Sequence, residues 1–231
     1  MEAGPVIAPY ETYLHMLVDL HRLLGPTRYL EIGVNEGHSL ACAGSDTRLV
    51  GVDPAPLVGS LDHPDWSVVE ATSEAFFREW DVVDLLGGPV DLAFVDGLHH
   101  FEVALADVLS IEHYAHPGTV VLVHDALPID KLTSERDRVS VVWSGDVWKA
   151  VVLLRRHRPD LTVTTLDVSP TGMAVITGFG GSTDGCWVGP AVEDLMDADY
   201  ADLVAMGVDR SLGVRPGTPE VLAGLLPVGS P

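Results

Sequence analysis

A chain of 231 residues with 47% hydrophobic composition can bury one sizeable core with an appendage, but two independent domains would be cramped. Its 34 acidic against 13 basic side chains, a formal charge of −21, argue against nucleic acid or an anionic membrane surface as the main partner, since either is repelled. Only two cysteines, Cys42 and Cys186, no basic leader before an apolar run, and apolar stretches far below the ~20 residues of a bilayer span predict a cytoplasmic, reduced protein that does not cross a membrane.

The first periodic segment runs from Tyr10 to Leu24, with Leu14, Leu17, Val18 and Leu24 at helical spacing and Gly25-Pro26 as the stop. It predicts a helix covering one end of a sheet. Short β-branched runs then alternate with longer segments of helical period, which predicts a parallel sheet with helices on both faces. Strands are expected near Arg28–Ile32, Leu49–Val52, Trp66–Val69, Val90–Val95 and Thr119–Val123. Ala126 to Gly145 is charged and lacks apolar period, and so long a loop within a compact domain is usually functional or mobile. Asp146 is placed to cap a helix reaching about Arg156, and the basic run Lys149 to Arg158 has the spacing of a solvated helix side.

Leu161–Asp167 and Met173–Thr177 are joined by five residues, too few for a crossover, so they predict an antiparallel hairpin. The fold class is therefore α/β, a Rossmann-like, doubly wound sheet, mostly parallel and ending in that hairpin, seven strands in all. Residues 1–27 read as an N-terminal helical cap, 28–179 as the binding domain and 180–231 as an acidic extension, weakly helical from Val192 to Met206. That extension and the first helix offer places for a partner chain, a second copy included.

Chemistry-bearing residues fall at strand ends. The first strand enters Glu31-Ile32-Gly33-Val34-Asn35-Glu36-Gly37-His38-Ser39, a glycine-bearing turn leading into a helix whose free N–H groups suit a ligand. Asp53 ends the second strand, twenty residues after Gly33, where an acid in this architecture accepts from ribose hydroxyls. Asp91-Leu92-Ala93-Phe94-Val95-Asp96-Gly97-Leu98-His99 and Val120-Val121-Leu122-Val123-His124-Asp125 deliver acids and histidines to the same sheet edge. His100, His113 and His116 read as surface or helix-end residues. Gly145-Asp146-Val147-Trp148-Lys149 could wall an acceptor pocket through Trp148, or be a cap with a buried tryptophan.

In order and position, Glu31-Ile32-Gly33, Val52-Asp53, Phe94 to His99, and Pro117-Gly118 through His124-Asp125 resemble the successive motifs of class I S-adenosylmethionine-dependent methyltransferases. Within that family the pattern is most similar to the macrolide and sugar O-methyltransferases and cephalosporin hydroxylase-like proteins. The resemblance covers about Tyr29 to Gly178 and implies roles. Glu31, Gly33, Asn35, Gly37 and Ser39 would cradle the methionine part of S-adenosylmethionine, Asp53 would hold the ribose, and Thr72 and Ser73 would enclose the adenine. Asp96 would lie beside the sulfonium, with His99 as general base. Asn35 departs from the usual glycine, and a left-handed backbone there accommodates it. His124-Asp125 stands where metal-using relatives carry an acidic pair, so Asp96, His124 and Asp125 are the candidate ligands for magnesium.

A hydroxyl is a poor nucleophile until its proton leaves, which a histidine near neutrality or a divalent ion can each promote. The expected activity is methyl transfer from S-adenosylmethionine to a hydroxyl of a small molecule: a sugar, a glycosylated natural product or another secondary metabolite. A non-catalytic partner or sensor that binds the cofactor, and an NAD-type oxidoreductase, are the alternatives. His99, His124 and Asp96 also fit a two-histidine, one-carboxylate iron site in principle, though the glycine turn and Asp53 then have no use.

Overall fold

The computed structural model describes residues 9–181 and 185–227; the parts of the flanking segments at 1–8, 182–184 and 228–231 lie outside the described residues. The five β-branched runs become β1 (Arg28–Ile32), β2 (Arg48–Asp53), β3 (Trp66–Glu70), β4 (Val90–Val95) and β5 (Ala115–His124), paired in parallel. β6 (Thr162–Asp167) and β7 (Met173–Thr177) form the antiparallel hairpin, with β7 against β5. The order is β3-β2-β1-β4-β5-β7-β6-β8. The eighth strand, one more than expected, is β8 (Val214–Pro216), which joins β6 at the sheet edge. Three residues ending in proline carry no alternation to read, and an edge is where proline is tolerated.

Alternating residues of each strand serve opposite faces. Leu30, Ile32, Val121 and Val123 face one core, covered by α2 (Ser73–Glu79), α3 (Val82–Leu86), α4 (Phe101–Glu112) and α5 (Trp148–His157). Tyr29, Phe94, Val120 and Leu122 face the other, covered by α1 (Tyr13–Leu24) through Met16, Leu17, Leu20 and Leu24. α1 thus lies across the middle of a face, not at the end of the sheet, and Val18 points outward. It starts at Thr12, whose side chain accepts from His15 N, and stops at left-handed Gly25.

The C-terminal segment packs onto the same body. α6 (Val188–Leu195), α7 (Tyr200–Met206) and α8 (Val208–Leu212) send Leu195, Leu203 and Leu212 into the first core, while α9 (Pro219–Leu225) puts Leu222 into the second beside α1. No helix among the described residues is long and apolar enough to cross a membrane.

Three local expectations are corrected. The glycine turn after β1 leads to a single 3-10 turn, Leu40–Cys42, instead of an α-helix. Gly44 and Asp46 leave too few residues to nucleate a helix, and α1 packs against that turn on the face it would use. Lys149 and Arg158 are buried, not solvated. Lys149 Nζ meets Asp146 Oδ2 at 3.2 Å and Met196 O at 2.9 Å, and Arg158 pairs with Glu112 and Asp160. Asp146 does not cap its own helix. It accepts from Phe101 N, the first residue of α4, at 2.9 Å and pairs with Arg136, so it ties the long loop to the neighbouring helix.

Candidate active site

β1 and β4 lie where the strand order reverses, so the chain leaves their carboxyl ends in opposite directions and opens a crevice. A cavity of about 830 Å³ fills it, near the upper end of the ~300–1,000 Å³ range of ligand sites. Among the expected site residues, Gly33, Asn35, Ser39, Asp53, Thr72, Ser73, Asp96, His99, His124 and Asp125 line it. Glu31 and Gly37 do not. Glu31 is wholly buried beneath the turn, where the Tyr29 and Ser39 hydroxyls donate to its two oxygens at 2.6 Å each. Burial outweighs those two hydrogen bonds and pushes its carboxyl up to about 8.

One end of the cavity is mostly backbone. Gly33 has φ +90, and a Cβ there would lie 2.1 Å from Asp96 O, so glycine is required by the contact with the segment after β4. Asn35 adopts φ 47, the left-handed form its amide tolerates. Asp53 Oδ2 accepts from Val34 N and Asn35 N at 2.9 Å each, and Oδ1 from Ala55 N, which rigidifies the turn while the carboxylate still lines the cavity. Thr72 caps α2 by accepting from Ala75 N, which sets it and Ser73 at the cavity wall. Glu36, Asp53 and Asp96 line this cavity, and acids suit a cationic ligand such as a sulfonium.

The other end is an ion cluster. Asp96 Oδ1 lies 3.1 Å from His124 Nδ1 and 3.5 Å from His99 Nε2; Asp125 Oδ2 lies 3.1 Å from His99 Nδ1 and 3.3 Å from His124 Nδ1. Burial would raise the Asp96 carboxyl, but His124 and His99 outweigh it and hold it below the usual carboxylate range. Burial would likewise lower both imidazoles, and the carboxylates reverse that, holding His99 and His124 above the ordinary histidine value. His99 Nδ1 also lies 3.0 Å from Trp143 O. A carbonyl can only accept, so Nδ1 carries the proton and Nε2 faces Asp96.

Asp96, His124 and Asp125 each offer one ligand atom within 4.8 Å of the others, so the three expected metal ligands converge. Two carboxylates and an imidazole fit a divalent cation, although one nitrogen suits manganese, iron or zinc better than magnesium. His99 lies outside that group, so the two-histidine arrangement is not the one formed.

Three contributors, Tyr13, Trp143 and Thr171, were not read from the sequence. Tyr13 comes from α1, its ring 4.2 Å from that of His124. Trp143, not Trp148, forms the aromatic wall, stacked on His99 at 4.7 Å and 15°. Trp148 sits in the core. Gly145, with φ +57, lets the loop close on His99, because a Cβ would lie 2.0 Å from His99 O. Thr171, from the β6–β7 turn, donates to Asp125 Oδ1 at 2.5 Å. Two tryptophans five residues apart were visible; which one faces the site depends on where α5 begins.

Residues 30–126 match a family model described as a methyltransferase domain. No curated protein matches the chain. Solved structures with the same fold include cofactor-bound Rv0187 from MTB, with 21% identity, TM-score 0.57, and coverage of 77% of this chain and 84% of that one. A second is the O-methyltransferase TomG from Streptomyces achromogenes, solved with SAM, with 21% identity, TM-score 0.53, and coverage of 76% and 83%. A third is the SAH-bound methyltransferase PaMTH1 of Podospora anserina, with 18% identity, TM-score 0.55, and coverage of 72% and 77%. Residues 30–126 thus resemble a methyltransferase domain, and the chain shares the fold of these solved methyltransferases.

Proposed function

We propose that the protein transfers a methyl group from S-adenosylmethionine to a hydroxyl of a small molecule such as a sugar, a glycosylated natural product or another secondary metabolite. The observation that carries this is the division of one cavity. The glycine turn, Asp53, Thr72 and Ser73 form a cofactor end, and His99 stands beyond Asp96 at an acceptor end.

When bound, S-adenosylmethionine supplies an electrophilic methyl group on a sulfonium that leaves as a neutral thioether. Asp53 and the backbone of the turn orient the ribose and methionine parts, and Asp96 offers negative charge toward the sulfonium. His99 is the general base. With Nδ1–H held by Trp143 O and facing Asp125, its Nε2 takes the hydroxyl proton as the acceptor oxygen attacks. The Trp143 ring stacked on His99 shields one face of the imidazole during that transfer. A divalent cation held by Asp96, His124 and Asp125 would lower the hydroxyl pKa and position the oxygen.

Isothermal titration with S-adenosylmethionine and with a nicotinamide dinucleotide tests the cofactor: binding of the second and not the first would overturn the reading. A screen of hydroxylated acceptors, followed by release of S-adenosylhomocysteine, identifies the substrate. Turnover unchanged by EDTA and by added magnesium or manganese removes the metal from the reaction.

A further inference from the structure

Two other cations of the loop and helix beside this cavity are already paired: Arg136 with Glu102 and Asp146, and Lys149 with Asp146. Arg138 differs. Among the described residues it is the one arginine or lysine that lines the cavity, and no carboxylate lies within ion-pair distance of it. Its guanidinium stands 5.9 Å from the centre of the Trp143 ring, on which His99 also stacks, and one of its N–H groups donates to Val141 O at 3.3 Å. Four of its five N–H donors remain for a ligand. Beside it Leu98, Val141 and Val142 line the same cavity with apolar surface 55%, 91% and 39% exposed.

In a chain with 34 acids to 13 bases, a guanidinium left without a carboxylate and set over the tryptophan on which the proposed base stacks is available to an anionic group of the acceptor. The apolar side chains around it call for an apolar skeleton between that group and the hydroxyl. We propose that Arg138 selects an acceptor bearing a carboxylate on an apolar skeleton, so that the substrate class is hydroxylated organic acids. This rests on the methyl-transfer reading above and adds the acid group to it.

The test compares catechol with protocatechuate, which differ by one carboxylate, in wild type and in the variants Arg138→Gln and Arg138→Glu. Turnover is read as S-adenosylhomocysteine release, and acceptor binding by titration with S-adenosylhomocysteine present. Wild type is expected to favour protocatechuate by about 10-fold in kcat/KM or in affinity, as for one charge-assisted arginine–carboxylate contact. Arg138→Gln brings that ratio near one, and Arg138→Glu inverts it. The affinity for S-adenosylhomocysteine, read in the same titration, reports separately on the methyl-transfer reading: its loss in wild type sinks that reading. An intact cofactor site with a ratio near one in wild type, or with a ratio that both variants leave unchanged, overturns the role of Arg138.

Discussion

The two ends of the cavity are built differently. The cofactor end comes from the connections after β1, β2 and β3, and most of its contacts are backbone: Gly33 against Asp96 O, and Asp53 gripping Val34 N and Asn35 N. The acceptor end joins side chains far apart in the chain, with Tyr13, His99, His124, Trp143 and Thr171 arriving from five separate elements or loops. A backbone-built end tolerates changes that keep the chain path and fails with those that alter it. An end built of charged side chains keeps its shape when one is removed and loses its chemistry.

The largest expected effect lies at the acceptor end. His99→Ala should lower turnover about 10²–10⁴-fold, the usual weight of a general base, while S-adenosylmethionine affinity by titration stays within a few-fold of wild type. Equal loss of both would erase the distinction between the two ends. At the cofactor end, Gly33→Ala forces a Cβ against Asp96 O at φ +90 and should cost about 3 kcal/mol, seen as a melting temperature lower by about 10 °C.

Glu31 gives a pH signature to the same end. Its carboxyl, at about 8 in the fold against 4.5 in the open chain, holds its proton where the unfolded chain has lost it. Its stabilising share is therefore complete below the unfolded value and declines as pH rises through about 8. Melting curves from mildly acidic to mildly alkaline buffer should show Glu31→Gln losing less stability than wild type over that window. A parallel pair of curves would contradict it. The smallest effect is at Asn35: Asn35→Ala should cost about 1 kcal/mol, and Asn35→Gly close to nothing, since only the left-handed backbone is at stake.

The strands and the hairpin form where they were read, and ten of the twelve expected site residues line one cavity, because each follows an apolar run whose end is visible locally. Trp143 and Tyr13 were not legible, since nothing near them in the chain marks a partner that lies across the sheet. The misplacement of Lys149 has the same origin: helical spacing says which residues share a face, not which face another segment will bury, and α6 with the turn after it covers that one.

What the chain itself determined was the sheet and the order of its polar ends, because the β-branched runs, the stop at Gly25-Pro26 and the tolerance of Asn35 for a left-handed backbone are local properties. Tertiary structure alone decided the acceptor end. Asp96, His99 and His124 acquire their shifted proton affinities only when β4 and β5 pair and bring carboxylates and imidazoles to 3.1–3.5 Å. At that distance the imidazoles lower the proton affinity of Asp96 and the carboxylates raise that of both imidazoles, and that coupling is encoded in no single stretch of sequence.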